Sequence, residues 1–497
     1  LTWFVVVGLV LGALPAAGQS PPAWPTPPPA PAPTPTPEPA AAPAAQDGEL
    51  VETDPQPSAS EPQDPPPEGA ADEPGSEPPG EEETNPGEVA FTDFRPFDFE
   101  SIEHEPFDSK WQAFVAGIRG ITRYSLFDGQ VKFRLGGRFQ IDGTTGTGSA
   151  LFEESYSPID SDAALRRGVI YAVGRIRDYN FSVGFDFGRD ANLDSAWIEG
   201  AKGGLEVWGI FLGKLRVGYV SEPFSLERQT SSYNLGFLER SLPVQTIAPG
   251  SNVGALVHNS GRKGRTSWAA GLFSVGVETE QNASTSVLSL SGRLTHLLVY
   301  QDEGRELLHV GASVSSRSPA GSEVRYRSRP EARFVGFLAD TGDIEASHVT
   351  LLGLEVAAVR GPLWVAAEYV QSDVSAQLVG DPSFHGSYAQ VGWFLTGESR
   401  RYRTNSGSFD RTLPAKQYRG GWPFKKANGG AWELTGRISH VDLDNADIEG
   451  GELTNVSAAL SWYPDPSTRV ALNYIYAMPE DRGSASIFLL RVQFNPW

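Results

Sequence analysis

From Gly129 to its end the chain is written with a period of two residues. Val131, Phe133, Leu135, Phe139 and Ile141 alternate with Lys132, Arg134, Gly136, Arg138 and Gln140; Phe181, Val183, Phe185 and Phe187 repeat the pattern, and so do Phe488, Leu490, Val492 and Phe494. Side chains on a strand return to one face every second residue, so each run has one apolar and one polar face. A soluble sandwich meets that pattern as well as a barrel does, and strand length and connection length decide between them. Strands are expected at 130–141, 164–177, 179–188, 193–202, 205–219, 251–260, 265–275 and 287–299, then at 305–316, 346–360, 362–375, 385–396, 431–442, 452–463, 468–477 and 486–495. Many reach ten residues, beyond the ~5–6 of a globular strand and suited to the ~9–11 that cross a bilayer at a tilt. Short connections (Asp178, Gly203-Gly204, 261–264, 302–304, Gly361, 464–466) alternate with longer ones at 142–163, 220–250, 276–286, 317–345 and 443–451. Short turns at one end and long loops at the other are the layout of an outer-membrane barrel. The prediction is an all-β fold: a 16-stranded antiparallel transmembrane β-barrel over 128–497, both ends on the short-turn, periplasmic side.

The formal net charge of -21 argues against an anion-binding protein only until its distribution is seen. Residues 1–110 hold 21 acidic side chains against Arg95 and Lys110, so the remaining residues are nearly neutral. Trp3 to Leu14 is apolar, too short to span a bilayer and followed by Ala16-Ala17-Gly18, which reads as a signal peptide over 1–18 with its start clipped. Residues 19–90 form a Pro/Ala/Glu-rich tract whose composition predicts disorder and an extended spacer of on the order of 200 Å. An acidic, aromatic linker follows at 91–127. With no cysteine, disulfides and cysteine-based metal sites are excluded. The seven histidines show no ligand spacing, so neither a metal nor another cofactor is expected. His258 and His296 lie on strands near serines, yet no motif joins them into a hydrolase site, and the chain is not expected to be an enzyme. Nothing points to nucleic acid.

Two connections break the barrel's economy. Gly218 to Pro249 is about thirty residues long and rich in apolar side chains (Phe224, Leu226, Tyr233, Leu235, Phe237, Leu238), with Glu227, Arg228, Glu239 and Arg240 among them. So much apolar surface needs walls to pack on, and a barrel lumen supplies them. The second, Gly397 to Gly430, is long on the side where turns should be short, and it is basic: Arg400, Arg401, Arg403, Arg411, Lys416, Arg419, Lys425 and Lys426. A solvated periplasmic loop and a segment that enters the pore mouth both fit it.

The first connection carries PFSLE (Pro223 to Glu227), TSS (Thr230 to Ser232) and ERSLP (Glu239 to Pro243). These resemble the internal loop of the phosphate-selective porin O/P family, as do Arg166-Arg167, FLTGESRRY (Phe394 to Tyr402), GAWEL (Gly430 to Leu434), GGELTNV (Gly450 to Val456), and WYPDP with NYIY (Trp462 to Tyr476). The resemblance covers roughly 120–497 and implies a trimeric sixteen-stranded barrel in a Gram-negative-type outer membrane, with the loop folded in to narrow the pore. Pro223, Phe224, Glu227, Arg228, Tyr233, Glu239 and Arg240 are then its constriction residues. Where the family often has a basic residue just before PF, this chain has Ser221-Glu222, which weakens the case for phosphate. The C-terminal signature is shifted as well, ending in Asn495-Pro496-Trp497.

On the alternation, Lys132, Arg134 and Arg138 face the lumen from the first strand, Arg437 from the thirteenth and Arg491 from the last. If barrel closure makes the first and last strands neighbours, four of these cations form a stripe at the seam. Guanidinium forks match the oxygens of a phosphate. The expected function is passive diffusion of small anions, phosphate or polyphosphate among them; the alternative is a general diffusion porin whose Pro-rich tract also tethers the membrane to the cell wall. Expected partners are these anions, outer-membrane lipid, the barrel assembly machinery and two further copies, with the N-terminal segment in the periplasm.

Overall fold

The computed structural model describes residues 122–188, 192–200, 204–208, 210–261, 264–274, 286–319, 323–376, 379–419 and 429–496; the expected signal peptide, the spacer, most of the 91–127 linker, Lys425, Lys426 and Trp497 lie outside the described residues. Sixteen long strands follow one another: β1 (Val131–Gly148), β2 (Asp162–Ile176), β3 (Tyr179–Asp186), β4 (Asn192–Gly200), β5 (Ile210–Ser221), β6 (Ser251–Gly261), β7 (Thr266–Ser274) and β8 (Ser286–Gln301). The second half comprises β9 (Glu306–Pro319), β10 (Ile344–Arg360), β11 (Leu363–Ala376), β12 (Ser383–Phe394), β13 (Ala431–Asn445), β14 (Ile448–Asp465), β15 (Thr468–Pro479) and β16 (Ala485–Phe494). Each pairs antiparallel with the next, and β16 pairs with β1, so the sheet closes and no long edge remains. Three short strands, Arg123–Leu126, Leu205–Val207 and Glu323–Val324, add to its rims. Among the described residues no helix is long and apolar enough to cross a membrane; crossing falls to the strands.

Alternation in the sequence becomes alternation in space. Ile170 is 55% exposed while its neighbour Val169 is fully buried, and Phe185, Phe488 and Val492 face out, as does every second residue of their strands. Val131, Phe133 and Phe181 point outward too, half-buried near the rim. Inward side chains are mostly buried, so the lumen is occupied.

Two expectations about connections change. The loop expected at 443–451 is strand almost throughout, because Leu443 and Leu453 continue the inward face, both fully buried, while the acidic residues between them point out. Only Ala446-Asp447 turns, with Ala446 at positive φ. Similarly, β1 runs on to Gly148 before α1 (Ala150–Ser155), whose N-cap Ser149 accepts from the Phe152 amide.

Closure is staggered. β16 pairs only with Phe139 to Gly148 of β1, from Phe139 opposite Phe494 to Gly148 opposite Ala485. The first residues of β1 pair instead with Arg123–Leu126 across a tight turn.

Candidate functional site

The connection 222–250 lies inside the barrel. It contains two short helices, α2 (Leu226–Gln229) and α3 (Leu242–Thr246), whose apolar side chains pack on the wall. Phe224, Leu238, Leu242, Val244 and Ile247 join one buried cluster with Val349, Val370, Phe384, Val441, Leu453, Ile475 and Leu489, which come from β10 to β16. Burying a side chain of this size stabilises by roughly 1.5–3 kcal/mol.

Polar groups of the wall then satisfy the loop's backbone. The Glu368 carboxylate on β11 accepts from the amides of Leu226 (2.9 Å) and Glu227 (2.7 Å), the unpaired start of α2. Arg469 donates to the carbonyls of Leu235 (2.7 Å) and Gly236 (2.8 Å), Gln493 to that of Tyr233, and Arg491 to that of Leu238 (2.7 Å). Arg437 binds Glu227 (3.3 Å), Glu331 (2.5 Å) and the Glu239 carbonyl, and its guanidinium lies 4.2 Å from the Phe237 ring. Within the loop, Glu227 ties back to Ser241 through its amide and hydroxyl. Pro223 is buried beside these contacts.

Two further connections enter the lumen and back the first. Residues 323–343 bring Tyr326, Glu331, Ala332 and Leu338 into the same interior, where Glu331 accepts from the Leu242 amide, Thr246 meets Ser328, and Gln245 donates to the Arg329 carbonyl. From the opposite end, the start of the basic connection folds in. Arg400 is buried, donates to the Asn234 carbonyl and lies 5.0 Å from the rings of both Trp364 and Phe409; Arg403 pairs with Asp410, and the Phe409 amide donates to Thr230. Arg293, bidentate on Glu355, holds this segment through the carbonyls of Ser406 and Gly407. Arg401 and Arg411 are half-buried, whereas Lys416 and Arg419 are exposed beyond the segment that enters.

These three segments pack on the wall from β8 to β16, and the other side of the first loop faces β2. There, β2 carries a bulge: Gln140 pairs with Arg167 and Ile141 with Leu165, leaving Arg166 unpaired in the ladder. A bulge turns two successive side chains to one face. Arg166 takes up Glu239 in a two-bond fork (2.8 and 3.1 Å). Among the described residues, the side chains of Arg167 and of Arg228 on the facing loop, both half-buried, donate no hydrogen bond. Arg167, Arg228 and Arg240 are electrostatic neighbours; burial, then Arg240 and Arg167, draw the Arg228 guanidinium below its ordinary range, though it stays charged at neutral pH. Arg240 itself points at the carbonyls of Glu227, Arg228 and Thr230. Burial alone would raise the Glu239 carboxyl, but Arg166 and Arg491 outweigh it and hold it well below the usual carboxylate range.

Nearer the short-turn end, Arg138 sits between the rings of Tyr171 (5.3 Å) and Tyr233 (4.7 Å) and pairs with Asp194 at 2.8 Å. Tyr171 lies flat over Gly136, where a Cβ would come within 2.3 Å of its ring. Arg134, 6.0 Å from the same ring, has Arg411 and Arg123 as its charged neighbours.

The seam stripe of four cations is not formed. Closure sets Arg491 opposite Asp142, which takes it in a two-bond fork (2.7 and 2.6 Å), and Glu239 takes it as well (2.9 Å). Lys132 is exposed where β1 has already passed the end of β16. Arg491 and Arg437 are struts for the loop. Glu222, which seemed to place a negative charge in the constriction, is fully buried on Arg317 (3.0 Å), Ser291 and Asn252. Arg469, a strut of equal weight, had no signal in the sequence beyond inward parity.

Among the described residues, Asp442, Asp444 and Glu452 bring carboxylate oxygens within 4.8 Å of one another on the outer face, with two of them accepting from the amides of Asp444 and Gly451. His258 is held by Glu199, and His296 by Thr266.

The family model for phosphate-selective porin O and P matches residues 133–495. Porin O of Pseudomonas aeruginosa is 24% identical over 401 residues, covering 73% of this chain and 86% of that one. An uncharacterised protein of Caulobacter vibrioides is 35% identical over 179 residues, and this match spans 34% of each chain. Among solved structures, an anion-selective porin from Comamonas acidovorans aligns over 73% of this chain and 99% of its own, at 10% identity and a TM-score of 0.46. The outer membrane channel DcaP of Acinetobacter baumannii aligns over 75% and 99%, at 10% identity and a TM-score of 0.43.

Proposed function

Because the chain belongs to the phosphate-selective porin O and P family, we propose that it is an outer-membrane channel for passive diffusion of small anions, phosphate and polyphosphate among them. The observation that carries the preference is the cluster of Arg167, Arg228 and Arg240 where the loop faces β2, two of them with side chains that bind no described residue. Selectivity in a pore comes from width and from the charge that lines it, with binding weak enough to release. A guanidinium offers two parallel donors to an oxyanion, and in a narrow, partly desolvated passage three of them set the local potential. Charges more than a Debye length from it, about 8 Å at physiological salt, do not cancel it. Below the cluster, Arg138, Arg134 and Arg411 continue the basic wall toward the periplasm.

Reversal potentials in a potassium chloride gradient test this. The channel should prefer chloride, phosphate should block the chloride current, and Arg167→Glu with Arg228→Glu should move the reversal potential toward cations and weaken the block. An unmodified channel that prefers cations, or a double variant with an unmoved reversal potential, refutes the anion reading. A general diffusion porin is then the better description, and the pairing of Arg138, Arg166 and Arg491 with carboxylates favours it. We also propose a homotrimer inserted by the barrel assembly machinery, with the Pro-rich tract in the periplasm as a spacer toward the cell wall. Deleting residues 20–90 should then spare conductance and loosen envelope attachment.

A further inference from the structure

Three carboxyl groups and one guanidinium meet where the two inward connections touch the wall. Glu227 comes from α2, Glu331 from residues 323–343, and Glu368 from β11; all are buried, at 3%, 0% and 4% exposure. Arg437 on β13 reaches Glu227 and Glu331. The other charged groups around the junction are committed elsewhere. Glu355 on β10 is matched by Arg293 on β8 and bonded to His309 on β9; Arg240 is turned to backbone carbonyls; and Glu239 is held by Arg166 and Arg491. The neutral partners are Tyr388 on β12, Ser439 on β13, Ser457 on β14 and Ser241 in the loop. Fully ionised, the junction would hold three negative charges against one positive in a site without bulk water. Like charges in such a site do not all ionise.

A carboxylic acid that keeps its proton needs an acceptor. Backbone amides and a guanidinium can only donate, but the Tyr388 hydroxyl, 2.7 Å from Glu368 Oε1, can reverse its role and accept. We propose that a proton held at Glu368 and Tyr388, and shared in its effect with Glu227 and Glu331, docks the two inward connections, so that the constriction loop is a pH-gated element of the pore. Glu331 supports the sign: burial lifts its carboxyl above the ordinary range, with Arg437 opposing. A carboxyl raised on docking contributes fully below its ordinary value and loses that contribution as pH rises through the raised one. The loop is thus held in mild acid and released in alkali. The proposal requires a conducting barrel but not an anion preference, so the two fail separately.

Single-channel recording of the full chain between about pH 5 and about pH 9 tests it. The unmodified channel should gain conductance and open-channel noise as pH rises. Glu368→Gln should stay at the acid level throughout, and Tyr388→Phe should move the rise to lower pH by removing the acceptor. Heat-dependent gel mobility verifies folding; if Glu368→Gln does not fold, Glu331→Gln replaces it and, with one like charge fewer at the junction, should shift the rise to lower pH. A flat wild-type profile, or an unchanged rise in the variants, overturns the proposal. So does a rise that Glu452→Gln removes instead, since that places the sensor on the outer face.

Discussion

Arg491→Met offers the sharpest test of how the loop is held. The guanidinium is 1% exposed and makes four contacts: two with Asp142, one with Glu239 and one with the Leu238 carbonyl. Methionine keeps most of the apolar stem and loses all four. Glu239 retains its fork from Arg166, but Asp142, its side chain 4% exposed, is left charged with no other cation within salt-bridge distance among the described residues. Removing one partner of a buried pair costs about 3–5 kcal/mol, most of it the stranded charge. If so, Asp142→Asn on top of Arg491→Met should recover about 2 kcal/mol although it deletes nothing more than a charge. Arg469→Met is the control: it gives up two carbonyl contacts and two with the Ser461 hydroxyl but strands no carboxylate, so about 1–3 kcal/mol is expected. Urea unfolding of the lipid-reconstituted barrel, followed by tryptophan fluorescence, measures all four proteins. A double variant no more stable than Arg491→Met, or a single variant indistinguishable from wild type, refutes the stranded-charge reasoning.

Deleting residues 226–246 should raise single-channel conductance several-fold and leave the barrel inserted, because the strands close without the loop; unchanged conductance places the water path elsewhere. Glu239→Gln should destabilise the barrel at neutral pH by about 2 kcal/mol, through the loss of charge-assisted hydrogen bonds to Arg166 and Arg491. Because that carboxyl is depressed in the native state, its contribution is present above the ordinary carboxylate value near 4.3 and fades as pH falls below it. The urea midpoints of wild type and Glu239→Gln should therefore converge in acid below about pH 4. A gap that stays constant with pH assigns the loss to packing.

What the chain alone determined is what alternation determines. Which residues of β1 or β16 face in or out is a local property of a pleated strand, so Phe139, Ile141, Phe488 and Val492 were legible as lipid-facing, and Arg134, Arg138 and Arg491 as inward. The apolar content of 222–250 likewise demanded an interior. Strand ends read less well where acidic residues carried a strand past the membrane, as between Leu443 and Leu453. The fate of each inward charge was not legible, because its partner is set by register and closure. Asp142 meets Arg491 across 349 residues only because the seam is staggered, and Arg138 meets Asp194 only because the curved sheet brings β4, three strands away, within reach. A single bulged residue on β2 turned Arg166 into a strut for Glu239 and left Arg167 beside Arg240 and Arg228. Inward parity is written in the sequence; whether an inward arginine is a strut or a pore charge is decided by which carboxylate the closed barrel brings within 3 Å of it.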